Sequence, residues 1–148
     1  KILSTLKSRC LNFKIQITTK QSCDITNKLL NDDYRDLINN EFVNNYNTPG
    51  EIIRLIFFAY NNDIDLKETS LKQLIKKIIM DKKYKKENYI KELIYSLIEV
   101  YFRNNVSIND IKLINYHNSF LKKVNNTRIF NLDEESLFIE FEDRVFNG

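Results

Sequence analysis

The chain has 148 residues, of which 43% are hydrophobic, and its 23 basic and 20 acidic residues leave a formal net charge of +3 at pH 7. Two glycines and one proline are too few turn formers for an all-β or glycine-rich α/β fold, so the composition predicts helices joined by polar loops. The near-even charge excludes an argument for nucleic-acid binding from overall charge, and only a local basic patch can support one.

Cysteine and histidine usage gives no sign of a metal site. Cys10 and Cys23 are not spaced as metal ligands, and the single histidine, His117, cannot complete a Cys/His cluster. We therefore expect no bound metal, and we expect both cysteines to be reduced and structural.

The sequence predicts neither a membrane span nor an export signal. Its longest apolar run, at residues 52–60, is interrupted by Arg54 and is far shorter than the ~20 residues that a membrane-spanning helix requires. No signal peptide is recognisable at the start. The chain begins at Lys1 within what reads as the middle of a domain, so we expect a C-terminal fragment of a longer, cytoplasmic protein.

The first predicted element is a strand at about residues 11–17, where every second residue is apolar, as in a strand with one buried side. Arg9 lies between Ser8 and Cys10, directly before this strand. A guanidinium fixed at a strand entrance can be offered to a phosphate on a neighbouring molecule. Arg9 is therefore a candidate functional residue, although most arginines at strand ends are ordinary surface residues.

Three helices are predicted between residues 18 and 62. The first, at about residues 21–31, rests on apolar residues at helical spacing, Ile25, Leu29 and Leu30. The second begins at Asp32 or Asp33 and ends in the asparagine-rich stretch at residues 44–47. Its apolar stripe is expected to be buried, and comprises Tyr34, Leu37, Ile38, Phe42 and Val43.

The third helix has the clearest start in the sequence, at Thr48-Pro49-Gly50-Glu51. Thr48 can accept a hydrogen bond from the backbone of Glu51, whose side chain can reach back, and Pro49 stands where its missing N–H is harmless. This helix is predicted to run to about residue 60. A domain boundary is predicted between residues 61 and 69.

Beyond that boundary, four amphipathic stretches predict a helical bundle over residues 63–148, at about 71–79, 87–103, 107–125 and 133–146. The second stretch has the widest apolar face, which predicts a place in the middle of the bundle. The last two begin at capping arrangements, Ser107 with Asp110 and Asn131 with Glu134. The predicted fold class is therefore all-α, with a short N-terminal strand remnant, a three-helix unit and a C-terminal bundle.

The N-terminal stretch also resembles a known motif. Thr5-Leu6-Lys7-Ser8-Arg9-Cys10 before an apolar strand is similar to the Ser-Arg-Cys motif of clamp-loader AAA+ subunits, where a threonine-rich loop leads into the last strand of the nucleotide-binding domain. The predicted order, with residues 1–17, 18–62 and 63–148 as three parts, matches the order of AAA+ strand, lid and collar in that family. The resemblance implies that Arg9 is an arginine finger pointed at ATP held by the adjacent subunit.

The start of the third helix distinguishes classes within that family. In ATP-binding loader subunits an arginine of a Gly-Ser-x-Arg pattern contacts the nucleotide phosphates here, and Gly50 of Asn47-Thr48-Pro49-Gly50 stands in its place. A glycine cannot supply charge-assisted phosphate bonds. The change resembles the Ser-Pro-Gly of the delta-prime class in the bacterial DNA polymerase III clamp loader, and residues 130–138 resemble the last helix of that class.

This resemblance implies a chain that is not an enzyme on its own and binds no cofactor, while a neighbouring subunit holds ATP. The implied partners are the other subunits of a hetero-oligomeric ring, with the sliding clamp and primer–template DNA reached through the assembly. No membrane partner is implied. The collar is expected to hold neighbouring subunits, so its outward apolar residues are expected to form interfaces.

Two other functions remain open. A helical nucleic-acid-binding module would use a basic cluster with tyrosines interleaved, and this cluster comprises Lys76, Lys77, Lys82, Lys83, Lys85 and Lys86. We favour a simpler interpretation of these lysines as a solvated interhelical loop, because blocks of like charge usually stay solvated. A tau/gamma-type ATP-binding loader subunit is the other alternative, and the missing lid arginine argues against it.

Overall fold

The computed structural model describes residues 17–43, 47–105, 111–130 and 132–147, and all regular structure in these ranges is helical. The helices are α1 (Thr19–Leu30), α2 (Pro49–Asn61), α3 (Leu71–Asp81), α4 (Asn88–Asn105), α5 (Ile111–Phe130) and α6 (Glu134–Phe141). The all-α prediction is confirmed for this part of the chain. The predicted strand lies outside the described residues except for Ile17, and so does the Ser8-Arg9-Cys10 motif.

Three helices begin with the reciprocal hydrogen bonds of a capping box. The caps are Thr18 for α1, Thr48 for α2 and Ser70 for α3, and each pairs with a Glu or Gln three residues later. α6 begins differently, because the Asp133 carboxylate accepts hydrogen bonds from the backbone N–H groups of Glu135 and Ser136. Asp133 therefore has the capping role that the sequence pattern predicted for Asn131.

The predicted second helix of the three-helix unit is wrong. Residues 34–36 and 40–42 form two short 3₁₀ turns in place of one continuous α-helix. The reason is local: the Asp33 carboxylate accepts from the N–H of Arg35, and the Asn39 side chain accepts from the N–H of Glu41 at 2.9 Å. Short polar side chains that hydrogen-bond their own backbone in this way compete with helix propagation.

α1 forms where the sequence predicts it, but it buries a different face. Of the apolar residues whose spacing predicts this helix, Ile25 and Leu29 are 39% and 64% exposed and Leu30 is partly buried against the core, while Ser22 and Thr26 are buried. Both hydroxyls find backbone acceptors, because Ser22 donates to the carbonyl of Asn47 at 3.0 Å and Thr26 donates to the carbonyl of Ser22 at 2.8 Å. α1 packs against α2, and its buried hydroxyl groups have their hydrogen bonds satisfied.

α4 is the central helix of the core, as its wide apolar face predicts. It packs against α2, α3 and the 3₁₀ turn at Asn40–Phe42. Its buried side chains are Ile90, Leu93, Ile94, Leu97, Ile98, Val100 and Phe102. Full burial of each large apolar side chain is worth about 1.5–3 kcal/mol, so this helix supplies much of the stability of the fold.

Side chains on both sides of the predicted boundary at residues 61–69 belong to one buried cluster. Polar contacts also cross it: the Glu41 carboxylate accepts from the N–H of Leu71 at 2.7 Å, and the Asn39 amide donates to the carbonyl of Thr69 at 2.8 Å. Asn104 of α4 in turn donates to the carbonyl of Glu41 at 2.7 Å. The division into lid and collar stays a prediction, and any such boundary runs through packed contacts.

An aromatic cluster joins α4, α5 and α6 at the end of the chain. The Phe141 ring lies 5.6 Å from Phe102, 5.4 Å from Phe120 and 5.1 Å from Phe146, measured between centroids. Phe146 belongs to a π-helical turn, Glu142–Phe146, that follows α6. Within the ranges described above, none of the helices combines the length and hydrophobicity that crossing a membrane requires.

Candidate functional site

The start of α2 has the geometry that the sequence predicts. Thr48 Oγ1 accepts from the N–H of Glu51 at 3.3 Å, and the Glu51 carboxylate accepts from the N–H of Thr48 at 2.8 Å. Pro49 is the first residue of the helix. The predicted third helix is therefore confirmed, and Gly50 lies in its exposed first turn.

Gly50 is not required by the fold. Its φ is not positive, and a Cβ at this position would meet only Nη2 of Arg54, at an ordinary contact distance of 3.7 Å. A larger residue would therefore fit without strain. The exposed guanidinium of Arg54 lies beside the Cβ position of residue 50. Arg54 belongs to the next turn of α2, so it brings a positive charge close to the first turn.

The lysines of the predicted basic cluster form ion pairs and hydrogen bonds within the molecule. Lys82 pairs with Glu135 at 2.5 Å, and Lys85 pairs with the other oxygen of the same carboxylate. Lys83 instead lies near Asp81 and Asn62, and Lys76 donates to the side chain of Asn147 at 3.4 Å. Lys82 and Lys85 therefore share one carboxylate, while Lys83 and Lys76 have other partners, and a nucleic-acid-binding role for these lysines stays a prediction. Lys86 is exposed.

A cleft of about 510 Å³ lies where Lys82 and Lys85 meet the start of α6. It is lined by Tyr84, Lys85, Lys91, Leu132, Asp133, Glu134 and Glu135. Lys91 pairs with Glu134 at 2.5 Å, while Glu135 pairs with two lysines and Asp133 caps α6. Hydrogen bonds from Lys82 and Lys85 lower the pKa of Glu135 to about 2. Backbone N–H groups of α6 lower the pKa of Asp133.

Tyr84 lies in the wall of this cleft and is only 3% exposed. Its ring packs edge-on against Phe138, with centroids 4.8 Å apart. Its hydroxyl is buried and has no hydrogen-bond partner among the described residues. Burial raises the pKa of this phenol, and the negative charge of Glu135 raises it further.

Three large apolar side chains are exposed beside the cleft, at the junction of α5 and α6. Ile129, Phe130 and Leu132, which we call the apolar junction, are 62%, 67% and 54% exposed. The N–H of Leu132 donates to the carbonyl of Thr127 at 3.1 Å, which fixes the end of α5. The sequence analysis missed this surface because it ended the helix at about residue 125, whereas α5 runs on to Phe130. The sequence pattern that could have indicated this surface is the presence of three apolar residues within residues 129–132, next to a helix end.

Two other side chains with reactive groups, Cys23 and His117, pack against aromatic residues. Cys23 is a free thiol beside the Tyr34 hydroxyl, 3.3 Å away, and His117 stacks on Phe102 with ring centroids 4.5 Å apart. In the part of the chain that the structure describes, no group of His, Cys, Asp and Glu side chains is arranged to hold a metal ion.

Comparison with protein-family models, with curated proteins and with solved structures finds no match to this chain. A functional assignment therefore rests on the chain's own residues.

Proposed function

We propose that this chain is the lid and collar part of a clamp-loader subunit of the delta-prime type. The observation that carries the proposal is the start of α2, where Thr48, Pro49 and Gly50 begin a capped helix with no side chain at the position of the nucleotide-contacting arginine. Because neither backbone conformation nor packing requires a glycine there, the loss of that arginine is consistent with a subunit that does not hold ATP.

In this proposal the chemistry of the chain depends on Arg9. Arg9 is an arginine finger supplied in trans, and it stabilises the charge that develops when ATP on a neighbouring subunit is hydrolysed. Such a finger is worth roughly 10³–10⁵ in rate. Hydrolysis then depends on correct assembly of the ring, which in turn loads the sliding clamp onto primer–template DNA. The helical part of the chain holds the subunit in the ring.

The test is an Arg9→Ala variant of the full-length subunit, reconstituted with its loader. We expect clamp- and DNA-stimulated ATP hydrolysis at the adjacent site to fall by roughly 10³-fold, because the transition-state charge loses its cationic partner. Single-turnover hydrolysis measures this step. Unchanged turnover would remove Arg9 from the mechanism.

Arg54→Ala is the matched control, and it also tests the second candidate. One structural observation favours the tau/gamma-type function. The Arg54 guanidinium lies beside Gly50, so it could take the place of the missing lid arginine. If the subunit is of the delta-prime type, Arg54→Ala should leave ATP hydrolysis by the reconstituted loader unchanged. Weaker ATP binding by the full-length subunit carrying Arg54→Ala would favour the tau/gamma type instead.

A further inference from the structure

The positive charge of this chain is concentrated in α5 and the two residues after it. Residues 111–132 contain four basic residues and no aspartate or glutamate, and the basic residues are Lys112, Lys122, Lys123 and Arg128. The whole chain carries +3 and this segment carries +4, so the rest of the chain sums to −1. A local basic segment of this kind is hidden by the nearly even overall charge, and it can attract a polyanion.

The polar residues of this segment lie on an exposed face of α5. Eight positions between 112 and 126 are exposed, and all but Leu121 are Lys, Asn or Ser. Five of them have the three- and four-residue spacing of a single helix face, namely Lys112, Asn115, Ser119, Lys122 and Asn126. On the inner side Phe120 is buried, and Tyr116 and Val124 are partly buried against the core. α5 is therefore held in place from one side and presents these five polar residues, which we call the polar face, on the other.

The lysines of the polar face keep their charge available. The Glu135 carboxylate neutralises two lysines of the predicted basic cluster, whereas neither Lys112 nor Lys122 has an ion-pair partner among the described residues. Lys123, which is not part of the polar face, pairs with Glu140 of α6 at 2.5 Å. An ammonium group that no carboxylate neutralises can take the place of a counterion on a phosphate backbone.

The composition of the polar face favours duplex DNA over a single strand or a membrane surface. Lysine, asparagine and serine side chains are common donors to phosphate oxygens. None of the exposed residues between 112 and 126 is aromatic, so the bases of a single strand find nothing to stack on. The inner side of α5 is packed in the core, so it cannot be inserted into lipid as the apolar side of a membrane-surface helix is.

The spacing of the two lysines also suits a duplex. Lys112 and Lys122 are ten residues apart, which is about 15 Å along a helix. Duplex DNA carries one negative charge per about 1.7 Å of its axis, so both ammonium groups can meet phosphates at once.

We propose that the polar face of α5 binds the phosphate backbone of duplex DNA without reading its sequence. The two lysines displace counterions, while Asn115, Ser119 and Asn126 donate hydrogen bonds to phosphate oxygens. This binding depends neither on Arg9 nor on assembly with other loader subunits.

The test compares two pairs of exposed lysines on different helices. One variant carries Lys112→Gln and Lys122→Gln in α5, and the other carries Lys20→Gln and Lys28→Gln in α1, where the exposed Asp24 lies between the two lysines. Both variants lose the same charge, so a difference between them cannot come from net charge. The full-length protein is titrated into a labelled duplex at several salt concentrations between about 50 and 200 mM, and binding is followed by fluorescence anisotropy.

We expect the α5 variant to bind the duplex roughly 10-fold more weakly at the lowest salt concentration. Loss of two phosphate contacts should also reduce the slope of log K against log salt by about 1.8. The weakening should be equal for duplexes of unrelated sequence. The α1 variant should bind as the unaltered protein does, and circular dichroism checks that both variants keep their helices.

Four results would overturn the proposal: no binding of duplex DNA by the unaltered protein, equal binding by the α5 variant, equal weakening in the two variants, or tighter binding of a single strand. Vesicles containing phosphatidylserine supply the other polyanion, and binding to them that the same lysines control more strongly would also overturn it. The proposed function is unaffected by these results, because the Arg9→Ala measurement of ATP hydrolysis tests it separately.

Discussion

Individual side chains in this protein take environments that their types alone do not predict. Gly50 is in a position that any residue could occupy, while Ser22 and Thr26 fill core positions where the sequence suggests Ile25 and Leu29. The apolar spacing that predicts α1 is real, but it does not fix which face is buried. That choice depends on hydroxyl-to-carbonyl bonds with residues far along the chain, such as Ser22 with Asn47, which no local pattern contains.

His117 gives a prediction about pH. Burial lowers its pKa below the ordinary value of 6.5, with Glu99 opposing and Arg103 adding to the shift. The unfolded chain therefore takes up a proton as the pH falls through 6.5 while the folded chain resists, so the free energy of unfolding should fall as the pH is lowered from 7.5 to 5.5. The change in the free energy of unfolding should stay below about 1.4 kcal/mol per pH unit, the limit for one proton.

Urea unfolding at several pH values measures this dependence. His117→Phe keeps a ring against Phe102 and removes the proton, so it should flatten the dependence over that window. Glu135, whose pKa is lowered from 4.5 to about 2, takes up protons mainly below this window and contributes little to the slope. An equal slope in the variant would assign the effect to another group.

At the scale of elements, the sequence predicts helices well where capping and periodicity agree. The start of α2 at Thr48 and the central position of α4 are both confirmed. The failure at residues 32–43 has a definite cause, because a helical stripe there coexists with Asp33 and Asn39, which turn the backbone locally. Tyr34, Ile38 and Phe42 are buried and Val43 is partly buried, but Leu37 is 36% exposed, so the stripe predicted burial for most of its members and the backbone conformation wrongly.

Asn39 should therefore matter more than its polar, partly exposed position suggests. Asn39→Ala removes the acceptor for Glu41 and the donor to Thr69, so we expect a loss of about 1–3 kcal/mol in the free energy of unfolding. Asn40→Ala, at the exposed neighbouring position, is the control and should change stability by less than about 0.5 kcal/mol. Equal effects of the two substitutions would contradict the role assigned to Asn39.

For the molecule as a whole, the sequence predicts an all-helical chain but not how its parts share a core. The apolar periods of α2 and α4 show that each must be buried, and they do not show that the two helices pack against each other. The apolar junction was missed because α5 extends beyond the predicted helix end at about residue 125, so Ile129 and Phe130 belong to a helix that the sequence analysis ended too early.

A shared core predicts cooperative unfolding. Phe58 of α2 is 1% exposed, and Phe58→Ala should cost about 3–5 kcal/mol. Hydrogen exchange at the amides of α2 and α4 should accelerate together in this variant, and thermal unfolding should remain one transition. Faster exchange confined to α2 would instead support independent lid and collar units.

The last turn of the chain is held by two ammonium groups of α3. Lys72 donates to the carbonyl of Phe146 at 3.1 Å, and the Lys72 and Lys76 nitrogens lie 5.1 and 5.6 Å from the centre of the Phe146 ring. The same ring meets Tyr101 and Phe141 edge-on. Removing Phe146 would expose the aromatic cluster to solvent. Shortened versions intended for crystallisation should therefore keep Phe146 and Asn147.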